Sequence, residues 1–250
     1  MEAVEYQRMF DAERRSWWFC ARREILSDVI GRIPLPPEPA LLDMGCGTGG
    51  NLLMLEQFGQ PQGVEYSPLA ADFARQRTGA PITVASATDT GLAAESFDLI
   101  TMLDVLEHID DDEAALAEVT RLLKPGGAFL LTVPAFMFLW SQHDVVLHHK
   151  RRYRRRPLQK LLTAAGLQID WLSYYNTFLF PPVASVRLAR RLLPDAKPST
   201  DSGDHEADGT TLPPAPINAT LKALFSLERH LVGRLPLPFG VSLIGLAHKR

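Results

Sequence analysis

The chain has 250 residues, 46% of them hydrophobic, with a formal net charge of −3 and a pI near 6.2. That size and apolar share fit one large domain, or a domain with an appendage, and the slightly acidic balance gives no general drive toward nucleic acid. Two cysteines, Cys20 and Cys46, exclude a disulfide framework and any zinc-cluster spacing.

The opening residues Met1–Glu5 lack the basic start and apolar run of a secretory signal, and no apolar run approaches the roughly 18 residues of a membrane span. A reducing cytoplasm is therefore the expected compartment. Residues 2–31 are predicted helical, with Trp17, Trp18 and Phe19 set among Arg14, Arg15, Arg22 and Arg23. A stiff connector, Ile33-Pro34-Leu35-Pro36-Pro37-Glu38-Pro39, leads into the first strand. Strands are then predicted at 40–43, 62–65, 82–85, 97–103 and 127–133, and helices at 50–58, 68–77 and 112–123. Lys124-Pro125-Gly126-Gly127 is expected to stop the last of these helices and turn into the fifth strand. Alternating β and α elements with short apolar strands imply a mainly parallel sheet with helices on both faces.

Beyond Val133 come an aromatic stretch to Trp140, a histidine loop, a basic run over 150–156, a short helix at 157–165, and strands at 167–175 and 241–248. Between those two strands lie amphipathic segments at 183–193 and 217–232. They flank 194–216, a Pro/Ser/Thr/Gly-rich and acidic stretch whose composition predicts disorder.

The most informative stretch is 41–50, Leu-Leu-Asp-Met-Gly-Cys-Gly-Thr-Gly-Gly, read as a buried strand ending on a carboxylate, a glycine loop, and a helix opening near Asn51. Without side chains at Gly45, Gly47 and Gly49, backbone N–H groups can approach a small ligand. Gly45, Gly47 and Gly50 also fit the dinucleotide pattern G-x-G-x-x-G, but Asp43 would repel a pyrophosphate. The same carboxylate suits an ammonium group. S-adenosylmethionine has an amino group, a sulfonium and a ribose, and no phosphate. Glu65 ends the next apolar strand, where an acid can bridge ribose hydroxyls. The competing reading is an ordinary turn with structural glycines.

Five segments occur together in order: Leu42–Gly49, Gly63-Val64-Glu65, Ser96-Phe97-Asp98-Leu99-Ile100, Asp104-Val105-Leu106-Glu107-His108-Ile109 and Leu122-Leu123-Lys124-Pro125-Gly126-Gly127. Over residues 40–134 the chain resembles class I S-adenosylmethionine-dependent methyltransferases. Its flanks resemble a bacterial subgroup with a Trp-Trp-Phe…Arg-Arg segment before the core and a His-Asp…His-His-x-Arg-Arg-Tyr segment after the fifth strand. The resemblance implies a Rossmann-like α/β fold with a seven-stranded, mostly parallel sheet, here with a helical insertion before the last strand. The implied division is a helical lid and connector over 1–39, the core over 40–176, an insertion or cap over 177–239, and the last strand over 240–250.

The resemblance also implies site roles. Asp43 and the loop Gly45, Cys46, Gly47 and Gly49 would hold the methionine part, Glu65 the ribose, and Tyr66 the adenine face. Ser86 and Ala87 stand where the family often has an aspartate for the adenine, with Asp89 a weaker candidate. Asp104 would line the methionine end and the acceptor pocket, and His108 would pack structurally.

The loop after the fifth strand supplies the acceptor candidates. His143 and His148 are candidate catalytic residues, as general base or acceptor ligand; the bland alternative is a loop fixed by hydrogen bonds and ion pairs. No metal is expected, because the histidine spacing is irregular and no second ligand cluster completes it. Trp17, Trp18 and Tyr153 are candidate acceptor contacts, although Trp17 and Trp18 would serve equally to dock the N-terminal helix. The expected activity is methyl transfer from S-adenosylmethionine to a small-molecule or lipid-like acceptor, with a peripheral membrane contact through 178–193 as an accessory. The rivals are an RNA or protein methyltransferase using the 150–156 basic run, a binding module without catalysis, and a nicotinamide-dependent oxidoreductase.

Overall fold

The computed structural model describes residues 3–192 and 212–250. Seven strands form one sheet: β1 (Ala40–Met44), β2 (Gln60–Glu65), β3 (Ile82–Val84), β4 (Phe97–Leu103), β5 (Leu123–Pro134), β6 (Leu167–Tyr175) and β7 (Ser242–Lys249). Their order is β3-β2-β1-β4-β5-β7-β6. The first five run parallel, and β7 lies antiparallel between β5 and β6. The helices are α1 (Ala3–Ala12), α2 (Trp17–Ile30), α3 (Leu52–Leu55), α4 (Pro68–Arg77), α5 (Asp112–Leu122), α6 (Gln142–Val146), α7 (Arg155–Ala164), α8 (Phe180–Leu192) and α9 (Ala215–Ser226). Among the described residues no helix is long and apolar enough to cross a membrane.

Both sheet faces are covered, as the apolar strands require. One face packs Leu42, Ile100, Phe129 and Leu131 against Leu116, Val119 and Leu122 of α5 and Leu158 and Leu162 of α7. The other packs Leu41, Leu99 and Leu130 against Ile25, Leu26, Val29 and Ile30 of α2 and Phe225 of α9. Parallel register brings the carboxyl ends together: Asp43 of β1 sits beside Gly63 of β2 and Thr101 of β4. The ligand edge of the sheet is therefore where Asp43, Glu65 and Asp104 emerge.

Several boundaries differ from the sequence reading. The predicted helix over 2–31 is two helices, broken at residues 13–16. Glu13 there turns inward to accept hydrogen bonds from Thr48 Oγ1 (2.7 Å) and Arg77, and the α2 N-terminus at Trp17 donates to Asn218 Oδ1 of α9 (2.9 Å). The helix after the glycine loop is shorter than 50–58. Lys124-Pro125-Gly126-Gly127 lies within β5 rather than before it, with Gly126 at φ +76°. The 217–232 segment is α9 followed by a short 3-10 turn over Leu227–His230. Of the stretch expected to be disordered, 194–211 lies outside the described residues, and Ala215 and Pro216 already belong to α9.

Candidate functional site

The glycine loop follows β1. Gly47, at φ +54°, has nothing within 4 Å of where a Cβ would stand, so the loop opens there onto a cavity. Gly45, at φ +80°, is crowded instead: a Cβ would lie 2.5 Å from Val105. Only glycine satisfies both the positive φ and the contact with Val105. Glu65, at the end of β2, accepts hydrogen bonds from Gly47 N and Ser67 N, both at 2.9 Å. A carboxylate has about four acceptor sites, so lone pairs remain for a diol.

Asp43 is buried beneath this loop and does not itself line the cavity. Its Oδ1 accepts from Thr101 Oγ1 at 2.6 Å, and its Oδ2 has no partner. Burial pushes its carboxyl up to about 6, against the Thr101 hydrogen bond and the nearby Arg22. An unpartnered buried carboxylate oxygen next to an open glycine cradle fits a ligand carrying an ammonium group.

Arg22 was not anticipated as a site residue. Carried by α2, it is 5% exposed, stands 3.1 Å from Asp104 Oδ2, and lines the cavity. Burial alone would disfavour its charge, but Asp104, Tyr175, Asp43 and Glu107 around it raise its pKa. A signal was present: Arg22 falls on the same face as Ala21, Ile25, Leu26 and Val29, and a charge on an apolar stripe requires a buried partner. Asp104 itself holds φ +58°, a strained value for a non-glycine residue at the end of β4.

The cavity measures about 1100 Å³. Gly45, Cys46, Gly47, Glu65, Tyr66, Ser86, Ala87 and Asp104 line it, as do Trp17, Trp18, His143 and His148. Tyr66 is 79% exposed, its ring standing at the mouth. Ser86 Oγ lies 2.8 Å from Thr88 Oγ1, and Asp89 is exposed outside the lining. Cys46 is buried, and its thiol is pushed far up by burial and by Asp43 and Glu65.

Tyr153 requires a correction. Its ring is buried in the core, away from the cavity lining, and its hydroxyl donates to Asp112 Oδ2 at 2.8 Å, so it cannot contact an acceptor. The basic run is likewise committed in part to internal pairs: Lys150 with Asp110 (3.2 Å), Arg151 with Asp112 (2.7 Å) and Arg152 with Asp144 (2.7 Å).

The histidine loop is organised by Asp144, fully buried in α6. It accepts from Ser141 N (2.8 Å), from Arg152 Nε (2.7 Å) and Nη2 (2.9 Å), and from His149 Nδ1 (2.8 Å). Burial would raise its pKa, but the His149 and Arg152 hydrogen bonds hold it well below the usual carboxylate range. His149 packs edge-on against His108, with ring centroids 4.6 Å apart, and His143 stands 5.9 Å from His149. Burial, then the neighbouring His149, pushes His108 down to about 4. Glu107 is fully buried, and both its oxygens lack a hydrogen-bond partner. Burial, then Asp104, drives its carboxyl well above the ordinary range.

Sheet order, glycine cradle and the acids at the strand ends define a class I methyltransferase core, and residues 42–131 match the family model of a methyltransferase domain. Over that stretch the chain carries a methyltransferase domain, and S-adenosylmethionine is the cofactor of that family. The chain is similar to 2-methyl-6-phytyl-1,4-hydroquinone methyltransferase of Synechocystis sp., 30% identical over 116 residues, which are 44% of this chain and 35% of that protein. It is also similar to the ubiquinone biosynthesis O-methyltransferase of Sinorhizobium fredii, 27% identical over 172 residues, 59% of this chain and 68% of that one. The chain spans about a third to a half of the length of the first curated relatives it matches. A solved Thermotoga maritima S-adenosylmethionine-dependent methyltransferase, described as a possible histamine N-methyltransferase, shares the fold. Its TM-score is 0.60 at 22% identity, covering 99% of this chain and 96% of that one.

Proposed function

We propose that this protein transfers a methyl group from S-adenosylmethionine to a small-molecule or lipid-like acceptor held between the glycine loop and the helical insertion. One observation carries the reading. A single cavity joins Gly47 and Glu65 to His143 and His148 and to apolar walls from Leu179, Pro182, Val183 and Leu221 of the insertion. When bound, the cofactor supplies a methyl carbon on a sulfonium; the acceptor's lone pair forms the new bond as the carbon–sulfur bond breaks, with its pair left on sulfur.

The residues have separate tasks. Glu65 and the Gly47 backbone bind the cofactor, and Asp43 supplies negative charge beneath the loop. Arg22 holds Asp104 in its strained position. Trp17 and Trp18, with α9, close the site from water, and His143 or His148 receives an acceptor proton where one must leave. The hydroquinone and ubiquinone-pathway names of the relatives support an acceptor of this kind.

The test is incorporation of labelled methyl groups from S-adenosylmethionine into cell extract, separated into lipid, small-molecule, RNA and protein fractions. Label in the lipid or small-molecule fraction is expected. Label confined to RNA or protein would transfer the function to those acceptors. No label, despite tight S-adenosylhomocysteine binding, would leave a binding module.

A second reading has its own observation. Val186 and Leu188 of α8 are 52% and 56% exposed, and Val145 and Val146 of α6 are exposed as well. An apolar surface of this kind suits a peripheral membrane contact from which a lipid acceptor enters. Flotation with vesicles, compared between the parent and Val186→Ser/Leu188→Ser, separates this contact from a purely soluble site.

A further inference from the structure

We propose that Glu107, His108 and His149 form a binding site for a divalent transition-metal cation of the zinc type, in the wall of the same cavity. The three residues each offer a ligand atom, and these atoms all lie within 4.8 Å of one another. Two imidazoles and one carboxylate are a donor set that suits Zn²⁺ and the neighbouring first-row ions, and they leave coordination positions open.

Four further features match a built site. First, Glu107 is fully buried with no hydrogen-bond partner at either oxygen. A buried carboxylate without donors is costly, and a cation removes that cost. Second, His149 is oriented from behind: its Nδ1 meets Asp144 Oδ1 at 2.8 Å, which leaves Nε2 as the ring nitrogen available to a cation. Asp144 is itself gripped by Arg152 and the Ser141 backbone, so the imidazole is held on a rigid support. This is the carboxylate–histidine arrangement that commonly stands behind a metal ligand. Third, the backbone ties the two halves together, because Lys150 N donates to Glu107 O at 2.8 Å across the junction. Fourth, all three side chains line the cavity, so a cation has an entry path.

The proposal departs from the sequence expectation of no metal. Spacing could not find it: Glu107 and His108 sit in a 3-10 turn after β4, and His149 arrives 41 residues later from the loop after β5. The position also bears on the acceptor. Asp104, three residues before Glu107, belongs to the cofactor side, so a cation here lies between cofactor and acceptor space, where it would anchor an oxygen-bearing acceptor. That last step rests on the methyl-transfer reading; the metal site does not.

The test uses the full chain, stripped with chelator and titrated with Co²⁺ or Zn²⁺ alone. The expected result is binding of about one equivalent, with visible Co²⁺ ligand-field bands. Affinity should fall about tenfold or more in both Glu107→Gln and His108→Asn. A parent chain that binds neither ion, or binding unchanged in both variants, overturns the proposal. S-adenosylhomocysteine thermal shifts on the same samples report folding and the cofactor site separately. Metal binding without a cofactor shift would sink the methyl-transfer reading alone, and the reverse would sink the metal site alone.

Discussion

Single residues at the sheet's carboxyl edge divide into those whose chemistry follows from position and those whose chemistry follows from burial. Asp43 shows both. Its folded pKa, near 6, lies above the ordinary carboxylate value, so ionising it opposes folding. This cost is absent below about pH 4, grows as pH rises from about 4 to 6, and stays constant above, reaching about 3 kcal/mol. Asp43→Asn should remove the pH dependence. Relative to the parent, the variant should gain about 3 kcal/mol between pH 4 and pH 7.5 in urea unfolding, while losing affinity for S-adenosylhomocysteine. A parent–variant difference that is flat with pH would mean that Asp43 is compensated in the fold.

Arg22 is the opposite case, since its charge is needed. Arg22→Met leaves Asp104 without its partner and removes a positive charge that acts on Asp43 and Glu107. A loss of about 3–5 kcal/mol is expected in denaturant melts at pH 7.5. A loss under about 1 kcal/mol would show that solvent, not Arg22, balances those acids.

At the scale of elements, the sequence was legible wherever one residue pattern determined one structure. Apolar runs ended by acids located β1 and β2, and the alternation of strands and helices placed α4 and α5. It was opaque where a distant segment decided the outcome. The break between α1 and α2 depends on Thr48, Arg77 and Asn218, and no local signal at 13–16 encodes those partners. Tyr153 was misread for a related reason. Its place in the loop after β5 suggested an acceptor contact, but the 2.8 Å hydrogen bond to Asp112 and the pairing of Ala135 with Tyr153 turn it into the core.

The two helices of the insertion likewise looked equivalent in sequence and are not. Phe225 of α9 is fully buried, stacked on Trp18 with centroids 5.1 Å apart and packed against Tyr175 and Trp17. Leu188 of α8 is exposed. Phe225→Ala should therefore cost about 3–5 kcal/mol, and Leu188→Ser less than about 0.5 kcal/mol, in the same denaturation assay. Similar losses in the two variants would mean that α8 docks as firmly as α9.

At the scale of the whole molecule, the N-terminal segment and the insertion are joined to each other and to the cofactor edge. Glu13 bridges the α1–α2 break to Thr48 in the glycine loop and to Arg77 of α4. Lys222 of α9 pairs with Glu24 of α2 at 2.7 Å, and Asn218 caps α2. A lid that moves away from a finished core would not also supply that core's interior, yet Trp17, Ile25, Leu26, Val29 and Ile30 are all buried in one of its two halves. Burial of such side chains is worth about 1.5–3 kcal/mol each, so together they match the 5–15 kcal/mol by which a whole domain is typically stable. A chain beginning at Gly31 should consequently lose its near-ultraviolet circular dichroism, bind hydrophobic dye and fail to bind S-adenosylhomocysteine. A shortened chain that keeps a cooperative melt and cofactor affinity within about threefold of the parent would instead support residues 1–39 as a helical lid and connector separable from the core. The intact chain offers a check that does not depend on a truncated protein surviving. Cofactor binding should slow amide hydrogen exchange in α2 and α9 as well as in the glycine loop, because all three wall one cavity. Protection confined to the glycine loop would show that α2 and α9 move independently of the cofactor.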